Sequence, residues 1–162
     1  MNKIERIRQR ASYDHDFARW SMEQAALIRQ GRFDEVDAEN VAEEIESLAR
    51  SDRKEIRNRQ EVLLRHLLKW EFQPGKRKAG WRSTIFEQRQ QLKLLIKESP
   101  SLKAYPASQI SWCYDLACMK AADESGLPES SFPNECPYTA RQILDDKFLP
   151  GPPWTFEDLA AD

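Results

Sequence analysis

The sequence predicts an all-α protein, and three observations carry that reading. Apolar residues recur at three- and four-residue intervals in several stretches, the spacing that lines one face of a helix. No stretch shows the sustained two-residue alternation of a half-buried strand. Glycine and proline fall mostly between the periodic stretches, where they stop helices. The expected architecture is a bundle of four main helices with one long helix at about 37–73, a short C-terminal helix and no sheet.

The first helix is expected over about 16–30. Phe17, Trp20, Gln24, Leu27 and Ile28 mark its buried face, and Gly31 ends it. Asp14, or Ser21 with Gln24 as a later capping box, is its candidate cap. Phe33 follows in a connector and is expected to pack between helices.

The stretch Asp37–Gln73 organises the chain. It holds no Gly or Pro, and Val41, Ile45, Leu48, Ile56, Leu63, Leu67 and Trp70 recur at helical spacing. At about 1.5 Å per residue it spans roughly 50 Å, and the polar Ser51–Asp52 step leaves a break open there. Asp37 is the expected cap, and Glu39, Glu43 and Glu44 suit the positive end of the helix dipole. The second half, with Leu63, Leu64, Leu67, Leu68 and Trp70, is apolar on a broader arc and is expected to lie deeper.

Pro74, Gly75 and Gly80 make 73–83 a loop, short enough to join antiparallel neighbours. The next helix is expected from Trp81 or Ser83 to Glu98, with Thr84 and Glu87 at capping-box spacing and Ile85, Leu92, Leu95 and Ile96 buried. A fourth, with Ser101 as candidate cap, runs through Cys113, Tyr114, Ala117 and Ala121 to a stop at Gly126. Thr139 and Gln142 then cap a short helix over about 140–145. The expected organisation is a flexible N-terminal arm at 1–12, a single helical domain at 13–150 and a loosely held tail at 151–162. Trp20, Trp70, Trp81 and Trp112 are expected to fill the core.

At 162 residues and 40% hydrophobic content the chain can bury a core. No apolar run approaches a membrane span, and MNKIERIRQR lacks the apolar segment of a secretory signal. Cys113, Cys118 and Cys136 are odd in number and form no CxxC pair, which points to reduced thiols and a cytoplasmic setting. The net charge of −2 hides a segregation: residues 1–49 carry 7 basic and 11 acidic groups, residues 50–97 carry 14 and 5, and residues 98–162 carry 4 and 11. Either the acidic flanks fold against the basic centre and neutralise it, or the centre presents a basic face to a polyanion.

The elements YDHDFARWSMEQAALIRQGRFDEVDAENVAEEIESL, LLRHLLKWEFQP, WRSTIFEQR, SPSL and FPNECPYTARQILDDKFLP, in that order, resemble a bacterial, largely cyanobacterial family called domain of unknown function 29. The resemblance covers about residues 13–150. It implies an all-helical fold and a small standalone bacterial protein. It implies no activity and supplies no site residues.

No Walker loop, Rossmann glycine pattern, nucleophile elbow or HExxH occurs, and neither catalytic residues nor a cofactor are expected. Three clusters are candidates for chemistry. Lys69, Lys76, Arg77, Lys78, Arg82 and Arg89 surround Phe72 and Trp81, and cations among aromatics suit phosphate contact with base stacking. They equally suit cation–π packing or ion pairs with the acidic flanks. Asp14, His15 and Asp16 with Glu39 and Glu43 could supply oxygen and nitrogen ligands to a metal, against a plain solvated helix start. His66, among leucines and sharing a face with Trp70, is expected to be a desolvated structural residue, with Glu61, Glu71 and Glu87 as candidate carboxylates and Glu87 the first choice among them. The leading functional expectation is a non-catalytic interaction module for another protein or a second copy. A nucleic-acid-binding accessory protein using the basic 69–89 hairpin is the alternative, and a metal-dependent protein using the acidic 14–46 region is third.

Overall fold

A computed structural model describes residues 12–160 of the chain. Its helices are α1 (Phe17–Arg29), α2 (Ala38–Phe72), α3 (Ala79–Glu98), α4 (Tyr105–Ser108), α5 (Ile110–Ser125) and α6 (Ala140–Leu144), joined by short 3-10 turns. No strand occurs among the described residues, so the chain is all-α with the four main helices expected. The arm expected at 1–12 lies outside the described residues except for Ser12. Helix α2 is continuous through Ser51. The residues group into two compact units, one up to Ser51 and one from Asp52 onward.

In the first unit, the cap of α1 is Asp16, whose carboxylate accepts the Arg19 N–H at 3.0 Å. Ser21 instead donates to the Ala18 carbonyl within the helix, so neither cap proposed from the sequence forms. The buried Trp20 indole donates to Asp37 at 3.2 Å, and the buried Gln24 side chain accepts the Asp37 N–H at 2.8 Å. Asp37 in turn accepts the Asn40 N–H at 3.4 Å, capping α2 as expected. Two buried side chains of α1 thus fix where α2 starts. Phe33, expected between helices, is exposed.

In the second unit, α2 and α3 are antiparallel. The Lys69 ammonium stands 4.6 Å from the Trp81 ring centroid, and ten residues earlier Arg59 donates to Gln88 at 3.2 Å. Helices α2 and α5 run parallel, because Glu61 pairs with Lys120 at 2.9 Å and Arg65 with Glu124 at 2.6 Å. Leu63, Leu64, Leu67, Leu68, Trp70 and Leu92 are fully buried between these helices with Ala117 and Ala121, whose small side chains allow close approach. Leu95 is only half-buried.

Several local expectations fail for identifiable reasons. Helix α3 begins at Ala79, so Thr84 and Glu87 already lie inside it and cannot cap it. The expected fourth helix is interrupted: Pro106 sits in the first turn of α4, and α5 starts afresh at Ile110. Trp112 faces outward at 52% exposure beneath the Arg57 guanidinium. The capping box of Thr139 and Gln142 forms as expected, and Gly126 ends α5 with φ of +73°.

The segment read from sequence as a loosely held tail is attached. Arg77, 2% exposed, donates to the carbonyls of Trp70 and Pro152, each at 2.8 Å, and of Pro150 at 3.4 Å. Trp154 packs edge-on against Trp70 with centroids 5.2 Å apart, and Ala160 donates its N–H to the Arg77 carbonyl at 2.7 Å.

Candidate functional site

The first unit holds an apolar groove of about 320 Å³ between α1 and the start of α2. Phe17, Trp20 and Ile28 form one wall, and Val41, Ile45 and Leu48 the other. Trp20 is buried at the floor, whereas Ile45 is 64% and Leu48 68% exposed. The sequence pattern places Ile45 and Leu48 on the buried stripe of α2, and the structure leaves them open to solvent. Helical spacing reports which residues share a face; whether anything covers that face is a separate matter. The available signal was the charge crowded around the stripe, Glu43, Glu44 and Glu46, and the narrower apolar arc of this half of the helix. In the same unit Tyr13 packs edge-on to Trp20 at 4.9 Å, with its hydroxyl donating to Glu44.

The basic hairpin is not one exposed face. Lys69, Arg77 and Arg89 are buried. Lys69 pairs with Glu124 at 2.7 Å and lies over Trp81. Arg77 holds the C-terminal segment. Arg89 donates to the Ile143 carbonyl at 2.8 Å and the Gln142 carbonyl at 3.3 Å. Of the remainder, Lys76 and Arg82 are exposed, Lys78 is half-buried, and Arg82 stacks near Trp154 and Phe156. Acidic residues of the C-terminal third do neutralise part of the basic centre: Glu124 serves Arg65 and Lys69, and Asp146 serves Lys93 at 2.6 Å.

The acidic cluster does not assemble. No group of three or more metal-ligating side chains comes together among the described residues. Asp16 is occupied as a cap, and Glu43 is paired with Arg50. Asp14, His15 and Glu39 are exposed.

His66 is half-buried, and its Nδ1–H donates to the Val62 carbonyl at 2.8 Å, which leaves Nε2 as the acceptor in the neutral ring. Burial pushes its pKa down. The Val62 bond opposes this, the charges of Lys69 and Arg65 add to it, and Glu124 opposes it. The nearby carboxylate is therefore Glu124 of α5, and the exposed Glu87 is not the partner. All three thiols are free, and burial raises the Cys113 pKa to about 12, far from a nucleophile's range.

These features define an all-helical protein with an open apolar groove in its first unit. Residues 12–149 match the family described as Domain of unknown function DUF29, and the chain belongs to that family. No curated protein matches the chain, and no solved structure does. No helix among the described residues is long and apolar enough to cross a membrane.

Proposed function

We propose that this protein is a non-catalytic interaction module of the bacterial cytoplasm whose groove between α1 and α2 receives an amphipathic helix of a protein partner, apolar on one face and basic at its margins. The observation that carries this reading is the pair Ile45 and Leu48, large apolar side chains left mostly exposed beside a preformed cleft. Val41 to Leu48 spans about 10 Å of helix axis, enough to receive roughly two turns of a helix with anchors at i, i+3 and i+4. The basic margin follows from charge: residues 12–51 carry 4 basic and 10 acidic groups, and Glu44 stands in the groove lining itself. The cytoplasmic setting rests on the three free thiols.

The test is calorimetric titration with a helical peptide of leucine anchors and lysine flanks, beside its glutamate-flanked counterpart. The lysine peptide should bind and the glutamate peptide should not. Ile45→Asp separates groove docking from simple charge attraction. It adds negative charge, so purely electrostatic binding would strengthen, whereas docking in the groove should weaken at least tenfold. Strengthened or unchanged binding in Ile45→Asp overturns the proposal. Sedimentation showing a dimer abolished by Ile45→Asp would instead assign the groove to a second copy.

A further inference from the structure

The second unit holds a different concavity, of about 360 Å³, formed by one face of α3 and the segment after α6. Arg82, Ser83, Phe86 and Arg89 line it from α3, and Asp146 and Leu149 line it from the other side. Arg82 and Arg89 are seven residues apart, two helical turns, and so share a face. Arg89 is the unusual member. It is 1% exposed, yet no carboxylate among the described residues lies within ion-pair distance of it, and its partners are two backbone carbonyls. A guanidinium has five N–H donors, and two hydrogen bonds leave the fork incompletely used. The buried Arg77 differs, because three carbonyls and the Trp70 face surround it. The one acid in the lining, Asp146, accepts from Lys93 at 2.6 Å and Gln90 at 3.0 Å.

We propose that this pocket binds an organic anion, its oxyanion head set between Arg82 and Arg89 and its apolar body against Phe86 and Leu149. A desolvated cation without an ionic partner is costly, and an oxyanion that meets the guanidinium fork offsets that cost with charge-assisted hydrogen bonds. Ser83 supplies one further hydroxyl donor at the mouth. Desolvation lowers the Arg89 pKa against the raising effect of Asp146 and Asp145, as expected of a cation whose carboxylates stand at a distance. Phosphate and carboxylate heads both fit the fork, so the head group is left to experiment. This site is separate from the groove of the first unit, and neither depends on the other.

The full chain is titrated with phenyl phosphate, benzoate and inorganic phosphate at constant ionic strength, followed by calorimetry and by chemical shifts of Phe86 and Leu149. Phenyl phosphate or benzoate should bind and move both residues, and the tighter of the two identifies the head group. Inorganic phosphate should bind more weakly than phenyl phosphate for want of the apolar body. Arg82 is exposed and outside the core, so Arg82→Gln should fold normally and lose about tenfold in affinity. Arg89→Lys keeps the charge, removes the fork and should lose at least as much. Binding by neither aryl anion, or binding unchanged in Arg82→Gln, overturns the proposal. Shifts confined to residues elsewhere overturn it as well.

Discussion

The depth at which α2 is buried along its length can be tested with one pair of substitutions. Leu67 and Leu48 share a residue type, a helix and a place in the same apolar pattern, yet Leu67 is fully buried and Leu48 is 68% exposed. Leu67→Ala removes three carbon groups from the interior. At about 0.8 kcal/mol for each buried methylene equivalent, the transfer part is about 2.5 kcal/mol. Fully buried neighbours on the same helix, Leu63, Leu64 and Leu68, limit how far the site can collapse, so the expected loss is about 3–5 kcal/mol. Leu48→Ala leaves no cavity, and its expected change is within about 0.5 kcal/mol. Urea melts followed by circular dichroism measure both, and an unchanged slope would show that only stability has moved. A Leu67→Ala loss below about half a kcal/mol, or equal losses for the two variants, would refute the assignment of the core to the second half of α2.

Two further outcomes follow from the second unit. Because the His66 pKa lies below its ordinary value of 6.5, the unfolded chain takes up this proton first; the stability tied to the neutral ring is complete above about pH 6.5 and declines as pH falls from there through the folded pKa. An NMR titration of His66 should place its midpoint below 6.5, and His66→Gln melts should lose that part of the pH dependence; a midpoint above 6.5 would contradict the burial argument. At Gly151, φ is +85° and an added Cβ would lie 3.0 Å from Arg77 Nη2 and 3.2 Å from Glu71 Cα. Gly151→Ala should therefore cost at least about 1–2 kcal/mol in thermal or urea melts, and a neutral result would show that this turn can relax.

Much of the helical layout was legible because it rests on local rules. The Asp37 cap, the Gly126 stop and the Thr139–Gln142 capping box need only neighbouring residues to be recognised, and all three form. What was illegible depended on residues distant in sequence. The start of α3 was placed too late, because a capping box at Thr84 looks the same whether or not the helix has already begun. Arg77 and Arg89 read as members of a basic cluster suited to phosphate contact, cation–π packing or ion pairs, because nothing near them in sequence announces carbonyl acceptors at Pro150, Pro152 or Ile143. Trp112 read as core by residue type alone. The groove was missed for the complementary reason: Ile45 and Leu48 obey the apolar period, which does not reveal that both stay mostly exposed in the fold. Of the residues singled out for chemistry, Arg82 and Arg89 do line one pocket, a grouping that their spacing on α3 allowed but their neighbours in sequence did not isolate.

The attachment of the C-terminal segment to Arg77 bears on where this protein can be cut. The family match stops at residue 149, one position before the first of the two prolines whose carbonyls the guanidinium holds. Trimming to that boundary would strip a buried cation of two of its three carbonyl acceptors and uncover the Trp70 ring where Trp154 now lies. Residues 150–160 thus belong to the cooperative structure of the second unit, although they fall outside the family match. A fragment ending at 149 is expected to melt earlier than the full chain for this reason alone, and comparisons of function made on such a fragment would be comparisons of a damaged core.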